Sequence, residues 1–82
     1  MKKLLYFEGS FCPACRALKP VVEKEAPGKG YEIEFLDIDE EDGAFFADKY
    51  KVRSLPTLIV LDENGKETKR AVGSTAWKEV QE

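Results

Sequence analysis

Phe11-Cys12-Pro13-Ala14-Cys15-Arg16-Ala17-Leu18-Lys19-Pro20-Val21-Val22-Glu23-Lys24-Glu25-Ala26 reads as a helix that opens on a pair of thiols. Ala14, Leu18, Val22 and Ala26 recur at every fourth position with Cys15 and Val21 beside them, while Arg16, Lys19, Glu23, Lys24 and Glu25 take the other side, so one face is expected to be buried. Pro13 falls in the first turn, where a missing N–H loses no helix bond, and Ser10 or Cys12 stands where the helix starts. Pro20 removes the bond that its N–H would have made to the Arg16 carbonyl, which predicts a kink about one turn beyond Cys15. Pro27-Gly28-Lys29-Gly30 ends the element.

At the front of such a helix the first sulfur, on Cys12, faces unpaired N–H groups and the positive end of the helix dipole. Both favour thiolate near neutral pH. Cys15, three positions on, can close a small disulfide ring with it and reopen it. The pair is too close in sequence to staple a long loop, so reactivity explains it better than structural cross-linking. A structural zinc needs four ligands, and a chain with 2 cysteines and 0 histidines could supply them only as a dimer sharing one ion.

Upstream, Leu4-Leu5-Tyr6-Phe7 within Lys3 to Glu8 is an unbroken apolar run of the kind found in a strand buried on both faces. Downstream, Tyr31 to Asp37 alternates Tyr31, Ile33 and Phe35 with Glu32 and Glu34, a second strand that a helical crossover should place parallel to the first. Asp39, Glu40, Glu41 and Asp42 put negative charge at the front of a second helix, roughly Asp42 to Tyr50, whose Phe45, Phe46 and Tyr50 form its apolar side. That acidic run reads as a helix start rather than a cation site, which would need converging ligands. Val52 to Pro56 connects to a third strand, Thr57 to Leu61. Asp62-Glu63-Asn64-Gly65 is a hairpin signal, so a fourth strand, Lys66 to Val72, should return antiparallel, with Lys66, Lys69 and Arg70 suited to an outer edge. Gly73 breaks it, Ser74 is placed to cap, and Thr75 to Gln81 is a short last helix with Trp77 and Val80 pointing inward. The order β-α-β-α-β-β-α predicts an α/β domain: a four-stranded mixed sheet flanked by three helices.

At 82 residues, 43% hydrophobic and 35% charged, the chain has room for one core, and residues 1–82 are read as one domain. A net charge of −3 with no basic stripe argues against nucleic acid as a partner. No segment approaches the roughly 20 apolar residues that cross a bilayer, so no membrane partner is expected. Met1-Lys2-Lys3 followed by four apolar residues imitates a signal peptide, but Glu8 stops the run and no small-residue cleavage site follows. The mature chain is therefore expected to begin here, in the cytoplasm.

Taken together these features resemble the thioredoxin family. Thioredoxins carry an aromatic residue before the first cysteine and a helix proline five residues after the second, matched by Phe11 and Pro20. Their second strand runs into an Asp-x-Asp-Glu segment, matched by Asp37-Ile38-Asp39-Glu40, and their active-site proline lies in a stretch matched by Val52-Arg53-Ser54-Leu55-Pro56-Thr57-Leu58. Gly65 and Gly73 match the later glycines. The sequence also departs from that pattern. The strand and helix that usually precede the first strand are not among these residues, and Pro13-Ala14 between the cysteines is closer to glutaredoxins. Tyr6 and Phe35 stand where thioredoxins have a buried acid and a lysine, so water or Glu8 would have to move the proton of the second thiol.

The resemblance implies a thioredoxin fold and a protein-disulfide reductase, with Cys12 the exposed nucleophile and Cys15 the buried resolving thiol. Phe11, Pro13 and Ala14 would support the site, with the amides of Ala14 and Cys15 holding the thiolate because Pro13 has no N–H. Leu55, in a cis peptide with Pro56, would pair with the substrate strand, Pro56 would pack on the cysteines, and Gly73 would lie in the same binding surface. It implies no cofactor beyond the Cys12–Cys15 disulfide, no metal, and a monomer. The expected partners are thioredoxin reductase or a similar electron donor and disulfide-bearing proteins such as ribonucleotide reductase. A glutathione-dependent glutaredoxin and a non-catalytic binding subunit of the same fold are the alternatives.

Overall fold

The computed structural model describes residues 1–82. The chain forms β1 (Lys2–Glu8), α1 (Pro13–Glu25), a single 3₁₀ turn (Pro27–Lys29), β2 (Tyr31–Asp37), α2 (Glu41–Lys49), β3 (Thr57–Leu61), β4 (Glu67–Val72) and α3 (Ala76–Val80). The sheet order is β2-β1-β3-β4, with β1 and β2 parallel and the other two pairs antiparallel. This is the expected element order and a thioredoxin fold. No helix is long and apolar enough to cross a membrane.

The unbroken apolar run of β1 has a simple cause, since successive side chains of a central strand point to opposite faces. Leu4 and Tyr6 go to one side, where Leu58 and Val60 of β3, Val22 of α1 with Ala26 at its C-cap, and Trp77 and Val80 of α3 complete the larger core. Leu5 and Phe7 go to the other, with Ile59 and Leu61 of β3, under Phe46, Ala47 and Tyr50. The helix that carries the cysteines therefore rests on one face of the sheet and α2 on the other. Trp77 is buried as expected, packing edge-on to Tyr31 with ring centroids 5.5 Å apart and donating its indole N–H to Glu25 at 2.9 Å.

Three expectations are corrected. Phe45 is 64% exposed, because it lies one residue round the helix from Phe46, off the sheet-facing stripe that Phe46 and Tyr50 form at four-residue spacing. Val21 is likewise exposed, one residue round from Val22. Pro27-Gly28-Lys29-Gly30 ends α1 as expected, with Pro27–Lys29 winding a 3₁₀ turn that closes on Gly30, whose φ of 85° suits a residue without a Cβ. Ser74 caps nothing: Thr75 occupies the N-cap of α3, and its hydroxyl donates to Glu79.

Gly43 lies in the first turn of α2, buried against the main chain at the end of β2. A Cβ there would overlap the Asp37 carbonyl. The absence of a side chain at this one position lets the helix seat on the sheet.

Carboxylates accept hydrogen bonds at three places on the surface: in a hairpin, between two loops and along β4. Asp62 accepts from the Asn64 and Lys66 amides at 2.8 and 2.9 Å in the hairpin, Asp39 accepts from Ser10, and Glu67 pairs with Arg70, which also donates to the Tyr50 carbonyl. These bonds lower all three pKa values: the Lys66 amide is the main cause at Asp62, the Ser10 hydroxyl at Asp39 and the Arg70 guanidinium at Glu67. A depressed folded-state pKa contributes stability that is present above the unfolded value and lost as pH falls through the folded one. The unfolded values are 3.8 for the aspartates and 4.5 for the glutamate, so the melting temperature should hold steady from neutrality to that range and drop below it. Thermal melts from pH 7 to pH 2 check this. Asp62→Asn should flatten the acid limb, and an unchanged limb would remove Asp62 from the account.

Candidate functional site

Cys12 is the N-cap of α1. Its backbone is extended, and its Sγ accepts from the Cys15 amide at 3.1 Å, as the oxygen of a capping serine or aspartate would. The Arg16 amide donates to the Cys12 carbonyl at 3.2 Å and closes the first turn. The sulfur therefore stands at the end of a helix whose leading amides have no intrahelical acceptor, and it takes one of them. Of the two amides expected to meet the sulfur, only that of Cys15 does so; Ala14 makes no such bond. Ser10, the other candidate cap, instead donates its N–H and hydroxyl to Asp39 at 2.9 and 2.6 Å, tying the β1–α1 loop to the β2–α2 loop.

Cys12 and Cys15 form a disulfide with their Cα atoms 5.2 Å apart. Neither sulfur-bearing residue is open to solvent in this form: Cys12 is 7% exposed and Cys15 1%, an order that agrees with an outer and an inner thiol but makes Cys12 more covered than expected. The neighbour that projects is Phe11, at 99% exposure. A groove of about 470 Å³ runs beside the pair, walled by Phe11, Cys12, Pro13 and Ala14 on one side and by Val52 to Leu55 on the other, with Ile38 and Ala47 beneath. It is mostly apolar, and Arg53 is the charged residue on its wall.

The Leu55–Pro56 peptide is cis. Leu55 lines the groove, and Gly9 leaves room for its side chain, since a Cβ at Gly9 would come within 2.9 Å of Leu55 Cδ1. Pro56 and Gly73 do not line it. Pro56 is fully buried behind the wall, and its carbonyl accepts from the Gly73 amide at 2.9 Å, which couples the connector to the turn before α3. Gly73 has a φ of 98° there.

The environment of the inner thiol differs from what the sequence suggested. Glu8 accepts from Lys19 at 3.1 Å, and the same ammonium lies 4.6 Å from the centre of the Phe35 ring, so Glu8 is engaged with a cation and not with a sulfur. Tyr6 is fully buried and donates its hydroxyl to the Cys15 carbonyl at 2.7 Å, while its ring meets Phe35 edge-on at 5.3 Å. Burial, with the Glu8 and Glu23 carboxylates adding to it, raises the phenol's pKa far above its ordinary value, so the donor stays protonated. The sequence places Tyr6 in the apolar run of the first strand and, by resemblance, where the family has a buried acid, with no role for its hydroxyl. The signal that could have found it was a polar tip on an otherwise apolar central strand, because a buried hydroxyl needs a partner.

With geometry of this kind the two sulfurs can hold a pair of electrons and release them by exchange. Comparisons with known proteins agree. The Thioredoxin family model matches residues 1–82. A thioredoxin H-type from Fagopyrum esculentum is 35% identical over 68 residues, 83% of this chain and 57% of that protein. A thioredoxin from Staphylococcus epidermidis is 34% identical over 71 residues, 87% of this chain and 67% of that one. The chain thus spans a little over half to two thirds of the length of these relatives. The crystal structure of Fasciola hepatica thioredoxin superposes with a TM-score of 0.82 at 30% identity, covering 98% of this chain and 75% of the other. Matched by the family model from its first residue to its last, and folded as these proteins are, the chain belongs to the thioredoxin family.

Proposed function

We propose that the protein is a thiol–disulfide oxidoreductase that reduces disulfides of other proteins. One observation carries this reading: the Cys12 sulfur caps α1, accepts the Cys15 amide, and lies on the wall of an open groove while bonded to Cys15. In the reduced protein the Cys12 thiolate attacks one sulfur of a substrate disulfide, forming a mixed disulfide and releasing the other sulfur as a thiolate that takes a proton. The Cys15 thiolate then attacks Cys12 Sγ, restoring the intramolecular disulfide and freeing the second substrate thiol. Two electrons have passed to the substrate, and an external donor must return two to the protein. No further redox group is needed in this scheme.

The groove suits an extended segment laid along Leu55, with Phe11 giving an apolar contact at one end and Arg53 a charge on the facing wall. The donor is thioredoxin reductase or an enzyme of that kind, the substrates are cytoplasmic disulfide proteins with ribonucleotide reductase a candidate, and the working form is a monomer. Pro13 after the first cysteine favours one rival, a glutathione-fed glutaredoxin.

Insulin reduction decides between them. With NADPH and thioredoxin reductase the protein should precipitate insulin B chain at a rate proportional to its concentration, and with glutathione and glutathione reductase it should not. Activity with glutathione alone would transfer the protein to the rival class, and none with either would overturn the proposal. A redox titration should give a potential of about −200 to −270 mV, between the glutaredoxin and thioredoxin ranges.

A further inference from the structure

We propose that Tyr6 is a positioning residue for the resolving thiol: from the middle of β1 its hydroxyl holds the Cys15 main chain at the distance from which the Cys15 sulfur can reach Cys12. The inference rests on the exchange chemistry proposed above and extends it to a residue outside the cysteine motif.

Three observations bear on it. The bond is direct, 2.7 Å from phenol oxygen to Cys15 carbonyl oxygen, between groups nine residues apart in sequence and fully enclosed. The helix is weak where this anchor attaches, because Pro20 has no N–H for the Arg16 carbonyl and so α1's own ladder lacks the rung that follows Cys15. The anchor is also itself held. Phe35 packs edge-on against the Tyr6 ring, and the Lys19 ammonium covers Phe35 while paired with Glu8. Cys12 does not depend on this chain of contacts in the same way, since the Arg16 amide fixes its carbonyl. The consequence is a division of labour: loss of the phenol should leave the first attack nearly unchanged and disturb the second.

A tyrosine that merely satisfies its hydroxyl in the core would lower stability when changed to phenylalanine and do nothing else. The two roles separate in a stopped-flow reaction of the fully reduced protein with 5,5′-dithiobis(2-nitrobenzoate). In the first phase Cys12 thiolate displaces one thionitrobenzoate and forms a mixed disulfide. In the second, Cys15 thiolate attacks Cys12 Sγ, displaces the other and closes the ring. The protein loses two electrons and the reagent gains them.

Tyr6→Phe should keep the first phase within twofold of the parent and slow the second about tenfold. Equal slowing of both phases, or an unchanged second phase in a folded variant, would overturn the proposal. Should Tyr6→Phe fail to fold, Phe35→Leu carries the test: it loosens the ring that orients the phenol, and the second phase should slow by a smaller factor, an unchanged one counting against the idea. The parent protein separates this failure from that of the exchange chemistry. If it shows no intramolecular second phase, the exchange reading is wrong; if it shows one and Tyr6→Phe matches it, only the role of Tyr6 is.

Discussion

Replacing Cys12 by serine is expected to bring insulin reduction down to the uncatalysed rate while leaving the protein folded. A serine hydroxyl is a good helix N-cap, so the Cys15 amide keeps an acceptor and α1 keeps its start. What disappears is the nucleophile, since a serine hydroxyl is a far weaker acid than a thiol and supplies no comparable anion. Replacing Cys15 by serine should fail differently. Cys12 still attacks, nothing resolves the adduct, and a covalent mixed disulfide with the substrate accumulates, visible as a mass increase that dithiothreitol reverses. Activity measurements with mass spectrometry check both variants. Turnover by Cys12→Ser at anything near the parent rate would place the chemistry elsewhere in the chain. Accumulation of adduct on Cys15 in the Cys12 variant, with none in the reverse case, would exchange the two roles.

Gly43→Ala should be among the most damaging single-methyl additions available to this protein. Because the new carbon would overlap the Asp37 carbonyl, either α2 must lift from the end of β2 or the strand must shift. Overpacking of this sort typically costs about 1 to 3 kcal/mol, and the clash with main chain argues for the upper end. In a domain of this size about 3 kcal/mol lowers the melting temperature by roughly 12 to 24 °C. Gly28→Ala is the control. A Cβ there meets nothing within 4 Å, and the change should be neutral or gain a few tenths of a kcal/mol by restricting the unfolded chain, on the order of 0.5 kcal/mol. Melting curves of the two variants beside the parent test the pair, and a Gly43→Ala protein as stable as the parent would show that the contact yields at no cost. The loss should also reach the site, because Ala47 of α2 lines the groove beside Cys12.

Part of this protein was legible in the chain itself. The helix on the cysteines, the two-faced first strand, the Asn64-Gly65 hairpin and the place of Cys12 at a helix start are local matters, settled by periodicity, turn chemistry and capping within a few residues of each other. Strand pairing followed, since a helical crossover and a short turn leave little choice of direction. What tertiary structure alone decided are contacts between residues far apart in sequence. Phe45 and Phe46 are equally apolar, and only the rotation of α2 on the sheet sends one out and the other in. Nothing near Gly43 in the sequence marks it, and only the seating of α2 on the end of β2 puts the Asp37 carbonyl where its side chain would be. Ser10 donates to Asp39, 29 residues on, instead of capping the helix, and the Tyr6 hydroxyl finds its acceptor in the Cys15 carbonyl. Local propensity cannot choose among such partners, because each bond depends on where the packed sheet and helices bring the groups together, and that is a property of the whole fold.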